Sequence, residues 1–211
     1  MGSKERRERD REHTRRKILD AAREMFVRLG YEATTMRAIA KEVEYTPTAI
    51  YHHFENKDAL LTELSAVDFR ALAEAFLRIG RVASPLERLG KICEAYVGFA
   101  HANPMQYQLM FMTRRPPDTA LQTSLTRGDP SEDAYAFLRQ TCAEAIASGL
   151  LRPEVNDPDA MAQMMWGAAH GIVSLQIVKH HDAWIEWRDA RETARAGGEA
   201  MIRGLLRAPG D

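Results

Sequence analysis

The chain has 211 residues, and no apolar run among them approaches the roughly 18–20 residues that a membrane helix needs. The N-terminus is charged rather than apolar, so no secretory signal is expected. Cysteine is scarce. Cys93 and Cys142 stand far apart, without the spacing of a metal site, and are expected as ordinary core thiols in a reduced cytoplasmic compartment. There is no glycine-rich phosphate loop, no paired-carboxylate motif and no nucleophile–base arrangement, so an enzyme is not expected. An all-helical enzyme using His101 or His170 is the remote alternative. No alternating apolar pattern is long enough to propose a sheet, and no segment repeats. Nothing calls for a cofactor or a metal.

What the chain does have is charge, 28% of its residues, and enough apolar side chains, 45%, for a substantial core. The net charge of −1 conceals an asymmetry. Residues 1–17 hold eight Lys/Arg against four Asp/Glu, whereas residues 61–211 hold sixteen against nineteen. Residues 1–11 are therefore expected as a flexible basic arm that attracts polyanions by releasing their counterions. The competing view is a solvated tail, because Glu5, Glu8, Asp10 and Glu12 interleave with the arginines.

Beyond the arm the pattern is all-α. Ile18, Ala22, Met25, Phe26 and Leu29 recur at helical spacing over about 12–29, and Gly30 follows as a cap. A short second helix starts at Thr34 or Thr35 and buries Met36, Ile39, Ala40 and Val43. After Glu44-Tyr45, Thr46 offers a capping hydroxyl and Pro47 stands at the first helical position. Ile50 and Phe54 face inward from this third helix, turning Thr48, Tyr51 and His52 outward. Asn56 caps a long helix from Lys57 to about 79. Further helices are expected near 85–102, 104–112, 131–148, 158–180 and 184–206, with a long loop over 113–130.

Two short helices joined by a tight turn, the second presenting polar side chains, describe a helix-turn-helix. The adjacent His52 and His53 do not suit a metal, since neighbouring helical residues point about 100° apart. No nucleophile or carboxylate nearby would make them an acid–base pair. The stretch 14–61, TRRKILDAAREMFVRLGYEATTMRAIAKEVEYTPTAIYHHFENKDALL, resembles the DNA-binding domain of the TetR (tetracycline-repressor-like) transcription factors. The resemblance rests on the I-L-x-A-A-x-x-x-F run, Gly30-Tyr31, Thr34-Thr35, Ile39-Ala40, the Ile50–Phe54 block and Asn56–Leu60. It implies that Thr35, Thr46, His53 and Lys57 bind backbone phosphate and that Arg37 reaches a guanine edge. Thr48, Tyr51 and His52 would project towards bases, with Pro47 at the start of the same helix. One position departs from the pattern. Family members often carry glycine in the turn, where this chain has Glu44, and a positive φ there would strain a glutamate mildly.

The resemblance implies a division into the arm (1–11), a DNA-binding domain (12–56) and an effector-binding and dimerisation domain (57–211). Trp166-Gly167-Ala168-Ala169-His170-Gly171 resembles the Trp-His-Gly segment of one C-terminal subclass of that family. Candidate ligand residues are Met105, Met110, Phe111, Met165, Trp166 and His170, although a methionine stripe is more often plain core. By the same likeness the last two helices pair with those of a second copy. Met165, Ala169, Ile172, Leu175 and Gln176 are candidates on one, and Ala200, Met201, Gly204 and Leu205 on the other. The expected function is a cytoplasmic, homodimeric, sequence-specific DNA-binding regulator. It would act as a repressor released from a pseudo-palindromic operator by an unknown, apolar small molecule. A DNA-binding dimer without an effector is the alternative.

Overall fold

A computed structural model describes residues 3–113 and 125–208. Most of the loop expected over 113–130 falls on residues 114–124, outside the described residues. No proline or glycine interrupts the chain between Ser3 and Leu29, and it forms one unbroken helix, α1 (Ser3–Leu29). Residues 3–11 are thus helical, where a flexible arm was expected. The interleaved charges explain this: arginine and glutamate are good helix formers, and opposite charges three or four residues apart support one another.

Gly30 then turns the chain at φ 84°, donating its N–H to the Phe26 carbonyl at 3.1 Å. Thr35, not Thr34, caps α2 (Met36–Glu42), its hydroxyl accepting from Ala38 N at 3.1 Å. Thr34 is fully buried and donates its hydroxyl to the Gly30 carbonyl at 2.8 Å, tying the turn together. Thr46 caps α3 (Pro47–Tyr51), accepting from Ala49 N at 3.2 Å. Asn56 caps α4 (Lys57–Leu77) through Ala59 N. Pro85, Pro104 and Pro158 open α5 (Pro85–Ala102), α6 (Pro104–Phe111) and α8 (Pro158–Lys179). Between the latter two lies α7 (Ala134–Ala147), and α9 (Ala190–Leu205) follows α8.

Two helices start later than the periodicity indicates. Asp133 and Asp189 place their carboxylates on the first free N–H groups of α7 and α9, fixing those starts. The segment before α9 is held in an irregular path. There the Trp187 indole donates to Lys179 O (3.0 Å), and the Gln176 amide donates to Arg188 O (2.8 Å). The described residues contain no β-strand, and one isolated antiparallel bridge joins Leu151 to Leu206.

Contacts divide the described chain into two units, residues 3–68 with 105–113, and residues 69–104 with 125–208. The core of the first gathers Ile18, Ala22, Phe26, Ile39, Ile50, Phe54, Leu60 and Leu64, and Leu109 from α6 joins it. Within this unit Arg23 reaches from α1 to the buried carboxylate of Asp68 at 2.6 Å. In the second unit α5 is the central helix, packed against α7, α8 and α9, while α8 also packs on α7 and α9.

Candidate nucleic-acid interface

The short α3 owes its orientation to two side chains. Ile50 and Phe54 are buried in the first unit's core. With about 100° between successive residues, Thr48, Tyr51 and His52 must then face away, and all three are exposed. The Thr46 hydroxyl accepts the capping bond, which leaves its own proton available to a phosphate oxygen. Thr35 has the same arrangement on α2, and Arg37 beside it is exposed and reaches solvent.

The turn between the two helices contains the departure noted in the sequence. Glu44 has φ 59°, the only non-glycine residue with positive φ among the described residues. Its N–H donates to Lys41 O at 3.2 Å, and the next N–H, of Tyr45, donates to Ala40 O at 2.9 Å. The turn therefore adopts the backbone that glycine would accept without strain, and its hydrogen bonds hold the glutamate there. The Glu44 side chain is exposed.

Arg15 is a positioning residue that sequence reasoning counted only as part of a charged segment. Its guanidinium donates to Glu63 on α4 through Nε at 2.8 Å and again through Nη2. Through Nη1 it donates to the His53 carbonyl at 2.7 Å, and it lies 4.2 Å over the Phe54 ring. One side chain thus ties α1 and α4 to the end of α3. An arginine three residues before the first buried apolar residue of α1 was the available signal.

His53 itself is half-buried, and its Nδ1 is buried with no hydrogen-bond partner. Burial, then the charges of Arg11, Arg15 and His52, hold its pKa below the ordinary histidine value. Lys57, expected on a phosphate, is half-buried. Its ammonium donates to the Tyr31 carbonyl at 2.7 Å and lies 4.0 Å above the Tyr31 ring. Two of its three N–H groups remain for another acceptor. Tyr31 in turn donates its hydroxyl to Asp58, and burial together with that carboxylate pushes its pKa up.

The candidate ligand residues are not collected in one unit. Met105, Met110 and Phe111 belong to the first, with Met110 buried and Met105 exposed. Met165, Trp166 and His170 belong to the second, where Met165 is packed core. Trp166 and His170 join a polar cluster around Tyr96, a buried residue that sequence reasoning did not single out. The Trp166 indole donates to the Tyr96 oxygen at 3.1 Å, and that hydroxyl lies 3.1 Å from His170 Nδ1. Burial lowers the pKa of His170 below the ordinary histidine value.

Among the dimer candidates, Met165, Ala169 and Leu205 are covered by their own chain and cannot offer side chains to a partner. The large apolar residues that α8 leaves exposed are Met164, Trp166, Leu175 and Val178; Leu175 belongs to the expected stripe, and Met164 rather than Met165 is the exposed methionine. Leu175, Ala200 and Gly204 are exposed, and Ile172, Gln176 and Met201 are half-buried. His180 and His181 are exposed at the end of α8, their rings tilted 44° to one another.

Residues 18–64 match the family model described as bacterial regulatory proteins, tetR family. Residues 89–201 match the one described as tetracyclin repressor-like, C-terminal domain. The HTH-type transcriptional regulator UidR of Escherichia coli (strain K12) is 29% identical over 205 residues, which cover 92% of this chain and 94% of that protein. Among solved structures, the fatty acid degradation regulator FadR from Bacillus halodurans superposes with a TM-score of 0.72 at 19% identity, covering 92% of this chain and 97% of that one. AibR in complex with isovaleryl coenzyme A and operator DNA gives 0.65 at 24% identity, covering 91% and 97%. With one family model spanning more than half its length and a second spanning the helix-turn-helix, this chain belongs to the TetR family of transcriptional regulators.

Proposed function

We propose that the protein is a homodimeric, ligand-responsive repressor that reads a pseudo-palindromic operator with α3. The observation that carries this is the outward face of α3. Thr48, Tyr51 and the C-cap His52 are exposed, while Ile50 on α3 and Phe54 just beyond it are locked in the core. A rigidly backed helix with a polar face fits a major groove about 12 Å wide, where base edges are distinguishable. Around it Thr35, Thr46, His53 and Lys57 supply phosphate contacts that set register, and Arg37 supplies a two-donor fork for a guanine. Pro47 holds the first turn of the reader helix in place.

In this reading residues 12–56 form the DNA reader, and residues 57–211 form the effector-binding and dimerisation domain. Exposed Met164, Leu175 and Val178 on α8, with Ala200 and Gly204 on α9, supply an apolar, small-residue surface suited to a second copy. Two reader helices then fall about one helical turn of DNA apart. An effector, apolar over most of its surface, releases the operator only if it binds better to a dimer geometry that no longer matches this spacing. AibR, which was solved with both an acyl coenzyme A and operator DNA, supports such a pairing of sites. The protein acts in the cytoplasm, where a bacterial chromosome lies.

The test is selection of duplexes from random oligonucleotides by the purified protein, followed by affinity measurements on the enriched site with and without candidate effectors. A two-fold-related site whose binding weakens with one compound supports the proposal. Failure to enrich any duplex removes the DNA-reading function. Affinity unchanged by a compound that demonstrably binds the protein leaves a DNA-binding dimer without effector control.

A further inference from the structure

The first helix of the chain is longer than its core requires. Ile18 is its first buried residue, yet the helix begins at Ser3, and residues 4–13 are all exposed. At 1.5 Å per residue about 15–20 Å of α1 therefore overhangs the first unit. The overhang is not randomly charged. The buried face of α1 runs through Ile18, Ala22 and Met25 at intervals of four and three residues. Continued backwards at the same spacing, that face carries Arg15, Arg11, Arg7 and Lys4. Of the acids, Glu8 lies at the edge of this stripe, and Glu5, Asp10 and Glu12 are turned about a quarter-turn or more away.

The face of α1 that packs on the helix-turn-helix thus becomes a cationic edge once it passes the core. Its direction is set by contacts. Arg15 donates to the His53 carbonyl at the end of α3, and the charge of Arg11 is close enough to His53 to oppose its protonation. Lys4, Arg7 and Arg11 have no ion-pair partner among the described residues. The unpaired stripe begins beside the end of the reader helix and extends beyond it.

We infer that Lys4, Arg7 and Arg11 form a rigid helical rail that binds the phosphate backbone of duplex DNA flanking the bases read by α3. This rests on the DNA-reading function proposed above. The ligand is a polyanionic duplex recognised without regard to sequence, because three separated cations on one line offer charge and no base-specific fork geometry. A helical rail differs from a loose basic arm in one respect: its contacts depend on rotational phase as well as on charge.

Two variants of the full-length protein separate these cases on the enriched operator. Lys4→Ala/Arg7→Ala/Arg11→Ala removes the charges. Insertion of one alanine between Glu12 and His13 keeps every charge but rotates the rail by about 100° relative to Ile18, bringing Glu5, Glu8 and Glu12 into its place. The triple variant is expected to flatten the log–log salt dependence by about 2.7 per bound protomer, about 0.9 for each phosphate contact. Its deficit relative to wild type then shrinks about 40-fold per protomer between 50 and 200 mM salt. The insertion reproduces this loss, while both variants melt at the wild-type temperature because every altered position is exposed. Wild-type binding by the triple variant overturns the inference, and so does wild-type binding by the insertion, which would show a loose arm. If the wild-type protein binds no duplex, the DNA-reading function itself fails, an outcome distinct from either.

Discussion

Two cations near the reader helix have different surroundings, and their substitution separates two kinds of DNA contact. Arg37 is exposed with its guanidinium available, so Arg37→Ala should relax preference at one operator position at a cost of about 1–3 kcal/mol, measured across a set of single-base operator variants. Comparable losses on every variant would make it a phosphate contact. Lys57→Ala should weaken binding to all sequences and flatten the salt slope by about one unit per protomer. Because Lys57 also donates to the Tyr31 carbonyl, the same variant should lower the melting temperature, which Arg37→Ala should not. Glu44 offers a third test at this scale. At φ 59° a non-glycine residue is strained by about 1–2 kcal/mol, offset in part by the greater unfolded-state entropy of glycine. Glu44→Gly should therefore stabilise the protein by up to about 1 kcal/mol in chemical denaturation.

At the scale of elements, the contact between α5 and α8 through Tyr96, Trp166 and His170 makes a pH-dependent contribution. The Tyr96 oxygen accepts the Trp166 indole N–H and lies 3.1 Å from His170 Nδ1. The unfolded chain binds a proton at His170 with the ordinary value near 6.5, and the folded chain only at a lower pH. The stability conferred by neutral His170 is therefore fully present above pH 6.5. It is lost as pH falls from 6.5 to the lowered folded value, because the unfolded state takes up the proton first. His170→Gln should remove this portion of the acid destabilisation, so that the melting temperature falls less between pH 7.5 and 5.5 than in wild type. Parallel falls in the two proteins would show that other groups, His53 among them, carry the effect.

At the scale of the whole molecule, the surface that α8 leaves uncovered is the one to test for self-association. Leu175 is 56% and Val178 62% exposed, one helical turn apart. Leu175→Glu/Val178→Glu should convert a dimer to monomer in sedimentation equilibrium and weaken operator binding, because two linked reader helices act with a high effective concentration that one lacks. The same double variant should leave the melting temperature of the isolated protomer little changed, since neither side chain is part of its core. A dimer that survives both glutamates would place the interface elsewhere.

Local chemistry determined much of this protein. A threonine or aspartate before a helix, a proline at its first position and a glycine after it act on the few backbone groups beside them. The starts of α2, α3, α5 and α8 were therefore legible in the chain. So was the outward face of α3, because Ile50 is its large aliphatic residue, Phe54 follows four residues on, and a helix of this length has little choice about what faces away. The resemblance that named the contact residues covers the same stretch. Only the tertiary structure decided which face of α8 is covered. That helix is apolar on more than one side, so its own period cannot distinguish Met165 in the core from Met164 outside it, and packing by α5, α7 and α9 makes the choice. It also decided that Arg15 clamps the end of α3 and that Tyr96 meets His170. These partners are 38 and 74 residues apart in the chain, and no local pattern reports a contact that exists only when distant helices close around a shared core.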